Sequence, residues 1–205
     1  MNFGTGALLC GGRSSRMGRD KALIELNGQP LWRLQLAKLQ AVCCEVIVCG
    51  NASQRTAFES EGARFECDVL GDLGPLSGIA RALESARTSH VLVLAVDLPK
   101  MSERYLLRLW EAAGAACGAV PETAAGFEGL CAVYPTALHP LVLELLDGED
   151  RSLQTFIRRG FEKGLLRAVP VAGSELALFE NWNTPADVAP FADTSTEGPP
   201  AFCRV

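Results

Sequence analysis

The chain has 205 residues, 48% of them hydrophobic, and a net charge of −5 at pH 7. That is enough apolar material for one full core, with an ordinary globular composition. A net acidic chain lacks the broad basic face that reads nucleic-acid phosphates, although a local basic pocket for a small anion stays open.

Phe3 to Leu9 reads as a first strand. Ala22 to Leu26 is a short extended piece, and Asn27-Gly28 marks a turn. Pro30 stands where a helix can start, and Leu31, Leu34, Leu36, Leu39 and Val42 recur at helical spacing. Glu45 to Cys49 is a second strand, apolar as buried parallel strands are. Residues 53–61 predict a polar helix stopped at Gly62, and Ala63 to Cys67 a third strand ending at Asp68. The glycine-rich segment Asp68 to Gly78 leads into a helix over Ile79 to Ala86, with Ser77 as its cap. His90 to Val96 is the clearest buried strand, and it ends at Asp97-Leu98-Pro99. Ser102 caps a helix running to about Ala113. Further strands are expected at Cys117 to Val120, Leu130 to Tyr134 and Leu165 to Val171, with helices over 136–146 and 152–159. Asn181 to Pro185 is a loop.

This alternation implies βαβ units, a mostly parallel sheet and helices on both of its faces. One domain is expected over residues 1–191. A Pro/Gly/Ser/Thr-rich tail over 192–205 is expected to be disordered. No apolar run approaches the roughly 18–20 residues a membrane span needs. The N-terminus has neither the basic region nor the cleavage site of a signal peptide. The eight cysteines form no C-x-x-C pair. They read as small buried hydrophobes of a cytoplasmic protein, not as zinc ligands.

The chemistry concentrates in Leu8 to Lys21. An apolar strand stops at Gly11-Gly12, a small polar loop follows, and Arg16 and Lys21 come next. Glycines let the backbone approach a ligand, and consecutive N–H groups form a concavity that attracts anions. Arg16 offers a fork of donors and Lys21 a mobile point charge, so the loop can cradle a polyphosphate. An ordinary strand-to-helix turn with surface cations is the plainer alternative. The P-loop pattern G-x-x-x-x-G-K-[ST] is absent, and Gly4-Thr5-Gly6 precedes the apolar run instead of following it, so no NAD-type fingerprint is present. In open α/β sheets ligands bind beyond the carboxyl ends of the strands. There the pattern puts the Gly-Gly loop, Asn51, Asp68 and Asp97. Asp97 either ligates a hard cation such as Mg²⁺ or caps the turn before Pro99. Asp68 either meets a ligand or forms an Asx turn. Neither His90 nor His139 has a nucleophile pattern near it.

The pattern G-G-x-x-x-R-M-G-x-D-K resembles the signature loop of the molybdenum cofactor guanylyltransferases, a MobA-like family of nucleotidyltransferases. Gly74-Pro75-Leu76-Ser77-Gly78, Val96-Asp97-Leu98-Pro99 and Asn181-Trp182-Asn183-Thr184-Pro185 continue the resemblance in order, to about residue 190. It implies a Rossmann-like three-layer α/β/α nucleotidyltransferase fold. The implied reaction is Mg²⁺-dependent transfer of GMP from GTP to molybdopterin or its molybdenum-loaded form, releasing pyrophosphate. It makes Arg16, Lys21 and Asp97 catalytic, with Asp97 the metal ligand. It assigns Leu9, Cys10, Gly11, Gly12, Lys21, Asn51, Asp68, Gly74, Pro75, Leu76, Gly78 and Asp97 to the nucleotide, and Asn181, Asn183 and Arg151 to the pterin. Asp187 belongs to the same last cluster. Transient contact with cofactor-delivering and cofactor-accepting proteins is expected, and none with nucleic acid or membrane. The chain departs from the family pattern at Cys10, a candidate oxidation site in place of Ala. It departs also at Cys49, where some relatives carry a polar residue, and at Glu128-Gly129 before the Ala-x-Tyr strand. The alternatives are a cytidylyltransferase on the same pterin, another small-molecule nucleotidyltransferase, and a catalytically silent binding partner.

Overall fold

The computed structural model describes residues 3–11, 21–26, 28–52, 55–59, 61–68 and 73–182. Gly12, Arg16, Asn183, Asp187 and the tail over 192–205 lie outside the described residues, and of Lys21 only the backbone is described. In chain order the strands are β1 (Phe3–Leu9), β2 (Glu25–Leu26), β3 (Gln29–Pro30), β4 (Cys43–Gly50), β5 (Arg64–Cys67), β6 (His90–Ala95), β7 (Gly118–Thr123), β8 (Gly126–Phe127), β9 (Cys131–Pro135) and β10 (Leu166–Pro170). The α-helices are α1 (Leu31–Val42), α2 (Arg55–Glu59), α3 (Pro75–Ser85), α4 (Glu103–Ala112), α5 (His139–Asp147) and α6 (Leu153–Glu162).

The main sheet runs β10-β7-β9-β6-β1-β4-β5, with β8 paired to β7, while β2 and β3 form a separate hairpin. β1 pairs in parallel with β4 on one side and β6 on the other, and β5 extends the parallel run. Alternate residues of a strand face opposite sides of its sheet, which divides the core in two. Leu8, Val48, Leu92 and Leu94 pack with Trp32, Leu36 and Leu39 of α1 and Leu106 and Leu109 of α4. Ala7, Leu9, Ile47, Val91 and Val93 pack with Ile79 and Leu83 of α3, Leu141 and Val142 of α5 and Phe156 of α6. The expected three layers are therefore present. Gly4 of β1 serves packing: a Cβ there would lie 2.6 Å from the Trp110 ring and 2.8 Å from the His90 carbonyl.

Several boundaries differ from expectation. α3 begins at Pro75, four residues before Ile79, and its cap is Gly74, not Ser77. Pro at the first helical position loses no hydrogen bond, because that N–H has no intrahelical partner. Gly74 supplies a φ of +83° that other residues resist. Residues 21–23 form a 3-10 turn, so only Glu25–Leu26 of that piece is extended. Pro30 is extended and precedes α1, which starts at Leu31. Ser102 does cap α4, its hydroxyl accepting from the Tyr105 N–H at 3.2 Å. The 3-10 helix Gly173–Phe179 and strand β8 had no counterpart in the sequence reading. β9 runs antiparallel between β6 and β7. Among the described residues no helix is long and apolar enough to cross a membrane.

Candidate active site

The strand order reverses at β1. The chain builds β4 and β5 outward on one side, then returns to lay β6 on the other. Such a reversal opens a crevice beyond the carboxyl ends of the two strands. The Val96 N–H donates to the Leu9 carbonyl at 3.1 Å and the Cys10 N–H to the Cys49 carbonyl at 2.8 Å. These bonds hold the entry to the glycine loop beside the entry to Asp97. Along one rim lie Asp68 at the end of β5, Asn51 after β4, Cys10 and Gly11 after β1, and Asp97 after β6.

Asp68 is held at both its backbone and its side chain. Its N–H donates to the Gly50 carbonyl at 2.9 Å. Its carboxylate accepts from the Ser77 hydroxyl in the first turn of α3, where helix partial charge favours an anion. A Cβ at Gly11 would stand 3.4 Å from the same carboxylate, so the glycine loop starts against Asp68. α3 lies close to the end of β1, since a Cβ at Gly78 would come within 3.1 Å of the Leu9 side chain. Gly74 and Pro75 are exposed, whereas Leu76 and Gly78 are buried within α3. The last two thus shape the rim through packing. Cys49 is buried under α3, and burial pushes its thiol well above the usual range. Cys10 is only 6% exposed, which shields it from the oxidation its position suggested.

Asp97 follows six buried residues and is itself partly exposed. The backbone of its turn is held from outside. The Trp182 N–H donates to the Asp97 carbonyl at 3.0 Å. Gln35 Nε2 reaches the Leu98 carbonyl at 2.5 Å and Lys38 Nζ the Pro99 carbonyl at 2.8 Å. Burial lowers the Lys38 amine to about 8, against a smaller opposing effect of Glu103. Lys100 pairs with Glu180 at 2.5 Å. Exposed Asn181 is therefore carried to the side of Asp97. On the far side of Asp97, the Ala95 N–H donates to the Leu130 carbonyl at 2.8 Å, which brings Glu128-Gly129 to the same edge. Burial raises the Glu128 carboxyl above its ordinary range. Gly129 is required there, because a Cβ would lie 2.6 Å from Ile157 and 2.9 Å from the Tyr134 hydroxyl. Arg151 precedes α6, and its Nε donates to the Leu146 carbonyl of α5 at 3.0 Å.

Cys10, Gly11, Asn51, Asp68 and Asp97 thus lie along one edge of the sheet with Asn181 beside them, whereas Arg151 is placed only against α5. Gln35 and Lys38 were missed, although Gln35, four residues after Leu31, falls on the apolar stripe of its helix and so breaks the pattern. Nothing in the sequence marks the Ser77–Asp68 bond. Among the described residues no three His, Cys, Asp or Glu side chains converge. A cation at Asp97 would complete its coordination with substrate phosphates and water, the habit of Mg²⁺.

A relative from Opitutus terrae, a probable molybdenum cofactor guanylyltransferase, is 36% identical over 187 residues, 89% of this chain and 91% of its own length. The molybdenum cofactor guanylyltransferase of Yersinia pestis is 31% identical over 185 residues, covering 89% and 92%. The crystal structure of the molybdopterin-guanine dinucleotide biosynthesis protein A from Archaeoglobus fulgidus has the same fold. It superposes with a TM-score of 0.72 at 24% identity, over 91% of this chain and 95% of that one. Residues 6–164 match the MobA-like NTP transferase domain, and the chain belongs to that family of nucleotidyltransferases.

Proposed function

We propose that this enzyme transfers GMP from GTP to the terminal phosphate of molybdopterin, or of its molybdenum-loaded form. The observation that carries the reading is the Val96–Leu9 bond, which sets the glycine loop and Asp97 side by side at the strand-order reversal.

In the proposed reaction a phosphate oxygen of the pterin attacks the α-phosphorus of GTP. A new P–O bond forms, the bond to the bridging β-oxygen breaks, and pyrophosphate leaves with the electron pair. A phosphate monoester is largely dianionic at neutral pH, so the attacker needs no strong base. The demand falls on positioning and charge neutralisation. The Cys10 N–H is taken by the Cys49 carbonyl and Leu9 lies within the sheet, so the backbone N–H groups of Gly11 and Gly12 cradle the triphosphate, and Arg16 and Lys21 take up charge as pyrophosphate departs. Asp97 would hold Mg²⁺, which would supply further positive charge against the developing negative charge. Asn51, Asp68 and the α3 entry at Gly74 and Pro75 enclose base and ribose, with Leu76 and Gly78 fixing that entry. Asn181, Asn183 and Arg151 face the pterin.

The test is calorimetric titration with Mg²⁺–GTP, then with CTP and ATP as competitors. Selective GTP binding that is lost in Asp97→Ala, together with pyrophosphate release on adding molybdopterin, is the expected result. Preference for CTP would move the assignment to cytidylyl transfer. Binding of no nucleotide would overturn it.

A further inference from the structure

Three successive carbonyl oxygens, those of Asp97, Leu98 and Pro99, each accept a hydrogen bond from outside their own turn. Two of the three donors are side chains of α1, Gln35 and Lys38, one helical turn apart. The third is the Trp182 N–H, in the segment tethered by the Lys100–Glu180 pair. Gln35 is 0% exposed. Its Nε2 is satisfied at 2.5 Å by the Leu98 carbonyl, while its Oε1 finds no partner among the described residues. A buried carboxamide with one end unsatisfied is a poor choice for packing alone, because an apolar residue of that size carries no desolvation cost. Lys38 likewise holds a half-buried ammonium against a single backbone oxygen. Two costly polar groups therefore converge on one short turn, and that turn begins with Asp97.

We propose that Gln35 and Lys38 are positioning residues, which fix the backbone of Leu98 and Pro99 and thereby aim the Asp97 carboxylate at its cation. The inference rests on Asp97 being the metal ligand. A ligand set of one protein carboxylate and substrate oxygens has little redundancy, so the aim of that carboxylate governs affinity. Groups that orient a metal ligand commonly change metal affinity about 10–100-fold when removed.

The experiment measures Mn²⁺ binding to the full chain by electron paramagnetic resonance, in the presence of a non-hydrolysable GTP analogue. Thermal unfolding is recorded in parallel. Gln35→Leu and Lys38→Met should fold as the parent does and weaken Mn²⁺ about tenfold, with metal-free analogue binding changed less than about twofold. Lys38→Arg keeps a donor and should recover most of the affinity. Unchanged Mn²⁺ affinity in the folded variants overturns the proposal. Should Gln35→Leu fail to fold, Lys38→Met decides alone, because its side chain is only half-buried. Asp97→Asn separates the two readings. If it retains Mn²⁺, the metal assignment itself falls. If it loses Mn²⁺ while the α1 variants keep it, only the positioning role falls.

Discussion

Lys21 and Glu45 show how differently single charges act in this chain. Lys21 follows the glycine loop and, in the proposed reaction, meets charge that grows as pyrophosphate leaves. Removing one such stabilising group from a transition state commonly costs about 10²–10³ in rate. Lys21→Ala should therefore lose at least that much turnover, read as pyrophosphate release, with an unchanged circular dichroism spectrum. Equal turnover would remove the residue from the mechanism. Glu45 acts on stability instead. Burial opposes its ionisation, but the Thr5 hydroxyl at 2.5 Å, the Arg87 N–H at 2.9 Å and Arg64 hold its pKa below the ordinary 4.5. A carboxyl with a depressed folded-state pKa contributes its full stability above the unfolded value and loses it as pH falls through the folded one. Glu45→Gln should thus cost about 1–2 kcal/mol at neutral pH, as hydrogen bonds to a charged acceptor do. In urea unfolding the gap from the parent should narrow below about pH 4.5.

Among the described glycines, Gly118 in the β7–β9 seam leaves the least room for a side chain. A Cβ at Gly118 would lie 2.1 Å from the Val133 carbonyl and 2.8 Å from Pro135. Backbone cannot step aside as a flexible side chain can. Gly118→Ala should lower stability by about 1–3 kcal/mol, seen as a lower urea midpoint at an unchanged slope. This seam was also the least legible part of the sequence. The apolar run announces a buried strand over Leu130 to Tyr134, close to the observed Cys131–Pro135, but strand direction is set by which partner the chain returns to, and a run of buried residues is the same read either way. Helix α3 was misjudged for a different reason. Its small residues, Ser77 and Gly78, look like loop, and only packing against Leu9 makes a helix the better state for them. The parallel centre was legible because β1, β4 and β6 each carry an apolar run, Ala7–Leu9, Val46–Cys49 and Val91–Ala95, followed closely by glycine or polar residues.

At the scale of the whole molecule, the edge carrying the candidate site could be foreseen, since parallel strands point their polar ends one way. What could not be foreseen are bonds that join distant stretches: Gln35 to Leu98, Ser77 to Asp68 and Trp182 to Asp97. Each links residues whose own neighbours give no hint of the partner. The last of them has a consequence for how the protein is made. A ribosome delivers β1 first and the Asp97 turn near the middle of the chain, while Trp182 comes 85 residues after Asp97 (182 − 97). A chain still being synthesised therefore displays its glycine loop and its aspartate, with the two α1 bonds already possible, well before the third bond to that turn can form. A product cut short after Glu180 would keep every strand of the sheet and still leave the Asp97 carbonyl without the Trp182 N–H. The last bond on the Asp97 turn is thus supplied by a stretch made long after the residues that supply the other two.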